Sequence, residues 1–534
     1  IYWDAYPRVS TSTGDRYPEV AKVLKQLMNK GALIFNYTGH GSPAAFSHEY
    51  VLTTSDFKET SSTHLPLWVT ASCDIMPFDG QTENIGEQAL LNSGGGALAF
   101  YGTTRTVYSS YNSIMNTAFT TYVLGSTDGV RNSIGEAVRL AKNELINKKT
   151  DTSANKLQYT LLGDPALVLS YPSSAAVVDD INGTSVSSGR TIQIKAGSKV
   201  TVNGHISKNS SLDTSFNGIL TSTVRDCVDT VVCKNNVGGS GALFTYQDRP
   251  NTLYTGNDSV KNGTFSFVFA VAKDISYNNG SGMINLYAVN NDLSEEAGGY
   301  SDDFTLGGSD IAKNDSLGPS IYCYLNSSSF VNNGNVNTTP YFVAQVADND
   351  GINASGNGIG HDLELIIDGD MSQTYVLNDY FQYDFGSYTS GTVGYSIPEL
   401  TEGLHQLKFR AWDILNNPST AELSFYVVSA LSPNFFSVDC TNNPATSTTT
   451  FIINHDRSGS NVDIELDIFD LSGRQLYKTT TSETASSNTS TLTWDLTTDS
   501  GAKLQTGVYL YRIRLGSDGS DKVSKAQKLI IINN

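Results

Sequence analysis

Ala32-Leu33-Ile34-Phe35-Asn36-Tyr37-Thr38-Gly39-His40-Gly41-Ser42 and Leu65-Pro66-Leu67-Trp68-Val69-Thr70-Ala71-Ser72-Cys73-Asp74 decide how this chain is read. In each, a short apolar run leads into small and chemically reactive residues. The runs predict buried strands. One strand ends in a histidine between two glycines, and the next ends in a cysteine 33 positions later. That separation suits one strand, a crossover and a second parallel strand.

Working outward, residues 1–172 read as α/β. Residues 17–30 place Val20, Val23, Leu24, Leu27 and Met28 on one helical stripe, with Pro18 in the first turn and Gly31 at the stop. Helices are expected at 84–93, 111–124 and 133–147. The last opens with Ser133 and Glu136 at capping-box spacing and buries Ile134, Ala137, Val138, Ala141 and Leu145. Ala97-Leu98-Ala99-Phe100-Tyr101 supplies a third strand. Strands alternating with helices imply a parallel sheet with right-handed crossovers.

After Tyr171-Pro172 helical periodicity stops, and Gly, Asn, Ser and Asp turns recur. Three all-β domains of immunoglobulin-like sandwich size are expected, at 173–308, 309–430 and 431–534. Val462 to Ile468 alternates strictly, as a half-buried strand does. The Ser/Thr-rich stretch 479–491 reads as a solvated hairpin or loop.

A chain of 534 residues exceeds one core. Lys and Arg total 34 against 53 Asp and Glu, a net charge of −19, which argues against nucleic acid or anionic lipid as a partner. Only 16% of residues are charged, and Ser, Thr, Asn and Gly fill the surface instead, as in secreted or cell-surface β-rich proteins. No apolar run of 18 or more marks a membrane span or leader. The abrupt start at Ile1-Tyr2-Trp3-Asp4 leads us to expect that residues precede it. Five cysteines make no dense disulfide framework. Cys227 and Cys233 stand close enough to bridge, Cys323 and Cys440 are ambiguous, and Cys73 stands alone.

In open α/β sheets, sites gather beyond the carboxyl ends of the strands. A thiolate there is a nucleophile, and a neighbouring imidazole can take its proton and later give it to a leaving amine. Gly39 and Gly41 leave the approach to His40 open. The amides of Gly41 and Cys73 can donate to a developing oxyanion, each such donor being worth ~3 kcal/mol. Taken singly, Cys73 reads as a small hydrophobe and His40 as a loop residue. At matched strand ends they read as a dyad.

The first domain resembles the gingipain family of cysteine peptidases, in the caspase-like clan. Within that family it is most similar to the PorU-type sortase branch of type IX secretion. The resemblance is carried by Tyr37-Thr38-Gly39-His40-Gly41, Glu49, Thr70-Ala71-Ser72-Cys73-Asp74, Phe78-Asp79, Gly86-Glu87, Gly95-Gly96-Ala97-Leu98, Thr104-Arg105-Thr106-Val107-Tyr108, Asn112 and Leu162-Gly163-Asp164-Pro165. It continues in Ile352 to Asp362 and Arg410 to Asn417, which look like the branch's middle domain. The last domain resembles a type IX sorting domain, through Asn443-Pro444-Ala445, Asp470-Leu471-Ser472-Gly473-Arg474, Trp494-Asp495 and Thr506 to Tyr511. Ser432-Pro433-Asn434-Phe435-Phe436 and Cys440 depart from that pattern.

The resemblance implies a caspase-like α/β domain, with His40 as general base, Cys73 as nucleophile and Gly41 in the oxyanion hole. It implies protein substrates with carboxy-terminal sorting domains, outer-membrane secretion components and lipopolysaccharide as partners, and the extracellular face of the outer membrane as location. In gingipains the acid that orients the histidine lies well upstream of it, and only Asp4, Asp15 and Glu19 precede His40 here. Glu49 and Asp74 are candidate substrate-binding acids.

No cofactor is required by this chemistry. Asp348-Asn349-Asp350-Gly351 raises a structural calcium site on Asp348 and Asp350 against an ordinary Asx-rich turn. His48 and His64 lack the further ligands a zinc site needs. His361-Asp362 reads as a partnerless loop. Two other functions stay open beside the sortase: a secreted gingipain-like endopeptidase that is itself type IX cargo, and a catalytically silent β-sandwich scaffold.

Overall fold

The computed structural model describes residues 1–532 apart from 63, 237, 239, 240, 311–314, 357–359, 371 and 372. It forms two compact units. One comprises Ile1–Tyr171 with Thr230–Asp248, the other Pro172–Asp229 with Arg249–Asn534.

The first unit is built on a four-stranded sheet in the order Tyr159–Leu162, Ala99–Thr103, Leu67–Ala71, Ile34–Thr38. The last three are parallel, and Phe35, Trp68 and Phe100 occupy one rung. Tyr159–Leu162 instead runs antiparallel to Ala99–Thr103, so the expected all-parallel sheet is mixed at this edge. Two helices, Ser109–Val123 and Ile134–Asn147, connect these strands, which returns the chain to the end it left.

Both helices cover one face of the sheet, over Leu67, Val69, Ala99 and Tyr101. The other face is aromatic. Trp68 packs on Phe35, Phe46, Phe57 and Phe100, with ring centroids 4.7, 5.6, 5.0 and 6.3 Å away. Burying each such side chain is worth roughly 2–3 kcal/mol.

The helix Pro18–Lys30 buries Val20 and Met28 but leaves Leu27 exposed. Ser133 caps the Glu136 amide at 3.2 Å, whereas the Glu136 carboxylate turns to Arg139 and leaves the expected box half made. A full box forms at Asn84 and Glu87. Between the strands of His40 and Cys73 the chain makes a small three-stranded sheet, Gly41–Ser42, Ala45–Phe46 and Leu52–Thr53, and a short helix, Thr54–Glu59.

The segment Thr230–Asp248 joins this unit through Asp4. The Asp4 carboxylate accepts from the Asn235 and Asn236 amides at 3.0 and 2.9 Å, and the Lys234 amide donates to its carbonyl at 2.7 Å. Tyr2 lies on Phe244 and Tyr246. Cys233 belongs to this segment, while Cys227 belongs to the core of the other unit. The bridge that their spacing allowed is not made, and all five cysteines are free thiols. Burial, then the Asp226 charge, pushes the Cys227 thiol up to about 11.

The second unit is all β. In its first part, Ser174–Ile181, Glu296–Ser301, Met283–Asn290, Gly218–Arg225, Thr252–Lys261, Thr264–Ala270 and Lys199–Lys208 pair in turn. Lys199–Lys208 then pairs back onto Ser174–Ile181. A closed ring therefore stands where a two-sheet sandwich was expected, because Ser174–Ile181 finds partners on both edges. The second part has a four-stranded and a five-stranded sheet over a common core, and the third a three-stranded and a five-stranded one. Most of the stretch 479–491 forms strands, Gln475–Thr484 and Thr489–Trp494, which pair in two different sheets and so make neither the hairpin nor the loop of the sequence reading.

The two stretches that look like a middle domain meet at Asp274. Its carboxylate receives His361 Nδ1 at 2.7 Å and the side-chain amides of Asn353 and Asn416, each at 2.9 Å. His361 is thus partnered, contrary to its reading as a free loop. Asn357, Gly358 and Ile359 of the same stretch lie outside the described residues.

Asp258 faces the core of the ring, 8% exposed, with Oδ2 lacking a hydrogen-bond partner. Burial pushes its carboxyl up from 3.8 to about 6. The folded protein therefore holds this proton more tightly than the unfolded chain. The resulting stabilisation is full at acid pH and is lost as pH rises from about 4 through about 6. Denaturant unfolding of wild type and Asp258→Asn at pH 4 and pH 7 checks this. Relative to the variant, wild type should lose up to ~3 kcal/mol across that window.

Candidate active site

The site starts from one rung. Thr38 pairs with Ala71, and the Gly39 amide reaches the Ala71 carbonyl at 3.4 Å. His40 and Cys73 each lie two residues beyond that pair. Neighbouring strands are about 4.8 Å apart, so the two residues leave the sheet side by side at its carboxyl end. His40 is exposed and Cys73 half-buried.

The turn after His40 rests on the backbone around Cys73. A Cβ on Gly41 would fall 2.2 Å from Ser72 Oγ, 2.8 Å from Ile75 Cδ1 and 3.3 Å from the Cys73 carbonyl. Glycine is required there for close approach, a reason beyond the open access that the sequence offered. Gly41 sits in a two-residue strand opposite Phe46.

The cysteine loop is laced to the strand beside it. Thr103 Oγ1 donates to the Ser72 carbonyl, the Met76 amide to Thr103 at 3.0 Å and the Asp74 amide to Arg105 at 3.2 Å. Cys73 Sγ donates to the Val107 carbonyl at 3.3 Å. Beneath it Tyr159 is buried with its hydroxyl unpartnered. Burial, then the Cys73 charge, pushes that hydroxyl above its ordinary range.

Asp74 adopts φ 43° and accepts Thr106 Oγ1 at 2.8 Å. Its carboxylate is thereby tied to the loop that also carries Arg105, which binds both oxygens of Asp79. Glu49 lies on the turn after Ser47, and its charge reaches Tyr37 and Tyr17. Among the described residues no carboxylate hydrogen-bonds the His40 ring. Asp4 is taken by Asn235 and Asn236, and Asp15 by Arg8 and Ser10. Sequence reasoning missed that His48, dismissed as a zinc ligand, lies with its ring centroid 5.2 Å from that of His40. His64 instead packs against Gly31, at the other end of the sheet.

The acids raised for calcium lie in the second unit. Asp348 joins Asp315 and Asp413, with one oxygen of each within 4.8 Å of the others. Asp350 is not in that group; its amide donates to Asp348 Oδ1 at 2.8 Å and shapes the turn. Burial first, then the other acids of the group, push the Asp348 and Asp413 carboxyls up.

Residues 1–170 match peptidase family C25, and residues 443–532 match the secretion system C-terminal sorting domain. Among solved structures the chain is similar to dimeric latent PorU from Porphyromonas gingivalis, with 31% identity over 82% of this chain and 41% of that one and a TM-score of 0.37. It is also similar to the Arg-specific cysteine proteinase gingipain R (RgpB), with 16% identity over 54% of this chain and 56% of that one and a TM-score of 0.27. The chain thus spans about two fifths of the length of PorU. A search of curated proteins found no match.

The contact between the His40 and Cys73 loops depends on Gly41, and this can be tested. Gly41→Ala should leave the domain folded and slow Cys73 alkylation by a peptidyl chloromethyl ketone about 100-fold, the loss that ~1 Å of misplacement costs. Adding Ser72→Ala, which removes a buried hydroxyl without a partner, should restore part of the rate. An unchanged rate in Gly41→Ala would mean that the loops need not touch.

Proposed function

We propose that the chain is a cysteine endopeptidase working as a sortase on type IX cargo. The observation that carries this reading is the placement of His40 and Cys73 two residues past the paired Thr38 and Ala71. The match of residues 1–170 to peptidase family C25 supports it. His40 takes the Cys73 proton, and the thiolate attacks the scissile carbonyl. The C–N bond breaks as the imidazolium gives its proton to the leaving amine. An amine then attacks the thioester, the thiol is released, and the new amide keeps the cargo. Gly41 and Cys73 amides serve the oxyanion. The substrate would be a cargo protein carrying a sorting domain, the acceptor an amine of lipopolysaccharide, and the location the cell surface.

A second reading, a secreted endopeptidase that is itself cargo, is favoured by the sorting-domain match over 443–532. In that case the last domain is a signal to be removed. The connection to it weighs against easy removal. The Val428 amide bonds Val336 at 3.0 Å, and the Ser429 amide bonds Glu402 at 3.0 Å. Arg457, buried, donates to the Leu431 carbonyl at 2.7 Å, and the Asn434 amide bonds Asp456 at 2.7 Å. A protease must unfold this strap to cut it.

Two measurements decide. Cys73→Ala should abolish labelling by a thiol-directed peptide mimic while the melting temperature stays within a few degrees of wild type. Persistent labelling would place the nucleophile elsewhere. Mass spectrometry of the protein recovered from cells should find residues 431–534 attached, whereas their loss would favour the cargo reading.

A further inference from the structure

Tyr37, three residues before His40, has no part in the chemistry above, yet it is the best-held side chain near the base. Its ring lies between Trp3 and Phe46, with centroids 5.7 and 4.3 Å away and planes within 13° and 4° of parallel. Its hydroxyl donates to the His40 carbonyl at 2.5 Å. The Ser47 amide donates to the same carbonyl at 2.8 Å.

That carbonyl is where control of His40 is needed. A peptide with glycine on both sides has more backbone freedom than any other. His40 is exposed, so packing does not fix it. Among the described residues its ring makes no hydrogen bond, and its ring neighbour is another exposed residue, His48. Two donors on one carbonyl therefore set the orientation of the Gly39-His40-Gly41 backbone, and with it the direction in which the imidazole leaves the chain.

The surroundings are consistent with a clamp. A Cβ on Gly39 would fall 2.5 Å from Tyr37 Oη and push it off its acceptor. Burial, then the Glu49 charge, pushes the Tyr37 hydroxyl well above its ordinary range, so that it stays protonated and donating. Trp3 precedes Asp4, which is fixed to Asn235 and Asn236, so the outer wall of the tyrosine slot is itself anchored.

We propose that Tyr37 is a positioning residue for His40, acting with the Ser47 amide through the His40 carbonyl. This rests on the reading of His40 and Cys73 as a dyad.

The test uses the full chain and a peptidyl chloromethyl ketone that alkylates Cys73, with saturation kinetics to separate the limiting rate from the half-saturating concentration. Tyr37→Phe keeps the ring stack and removes only the hydroxyl. The limiting rate should fall ~10- to 100-fold, while half-saturation moves less than threefold and the melting temperature drops by no more than a few degrees. Gly39→Ala, which displaces the hydroxyl without removing it, should give the same split. Phe57→Leu loosens the same aromatic cluster without touching the clamp, and should lower the melting temperature and leave the limiting rate within twofold.

A limiting rate within threefold of wild type in folded Tyr37→Phe overturns the proposal. So does an equal loss in Phe57→Leu, which would make the effect one of stability. Cys73→Ala separates this failure from failure of the dyad. If that variant is still alkylated at the wild-type rate, the dyad reading is lost; if it is inert while Tyr37→Phe reacts normally, only the clamp is lost.

Discussion

The in-register pairing of two parallel strands, Ile34–Thr38 on Leu67–Ala71, is the constraint on which the first unit's chemistry depends. A slip of one residue would turn Phe35 and Trp68 to opposite faces and break the aromatic rung they share with Phe100. Burial thus enforces the register, and the register delivers His40 and Cys73 to equal heights. The placement of these two residues is a by-product of hydrophobic packing several residues away, and it needs no direct bond between the two side chains. The thiol's bond to Val107 and the hold on the His40 carbonyl come from other neighbours, so each partner is positioned independently before they meet.

The second unit solves a different problem with similar means. Its parts are joined by buried polar contacts as much as by apolar ones. Asp274 gathers an imidazole and two amides from two loops, and Asn337 reaches both Ser460 and Asp518. Such contacts carry a high cost if half satisfied, so they specify one arrangement more sharply than apolar surface alone.

Much of this was legible in the sequence, for identifiable reasons. Apolar runs bounded by glycine mark the strands of His40 and Cys73, because local burial leaves a local signature. The helix Ile134–Asn147 is visible through its stripe and its Ser133 cap. What stayed hidden depends on partners distant in the chain. Nothing in Tyr159-Thr160-Leu161-Leu162 says that the strand runs antiparallel; that follows from two intervening helices. The closed ring needs Ser174–Ile181 to pair with Lys199–Lys208 and Glu296–Ser301, and alternation within each strand is the same whether a sheet closes or not. Asp348 was seen, but its companions Asp315 and Asp413 lie 33 and 65 residues away. His48 was weighed as a ligand and belongs instead beside His40, since the turn that brings it back is set by two very short strands.

The attachment of Thr230–Asp248 to Asp4 bears on how the protein is made. A ribosome releases the chain from its amino end, so residues 1–171 emerge complete while a part of their own fold is still unwritten. That unit cannot close its last contacts until some 60 further residues have followed, a high contact order for an otherwise local α/β domain. Until then Tyr2, with its aromatic partners not yet synthesised, stays bare. The first unit would therefore mature late, and only after the ring of strands that interrupts it in sequence has begun to form.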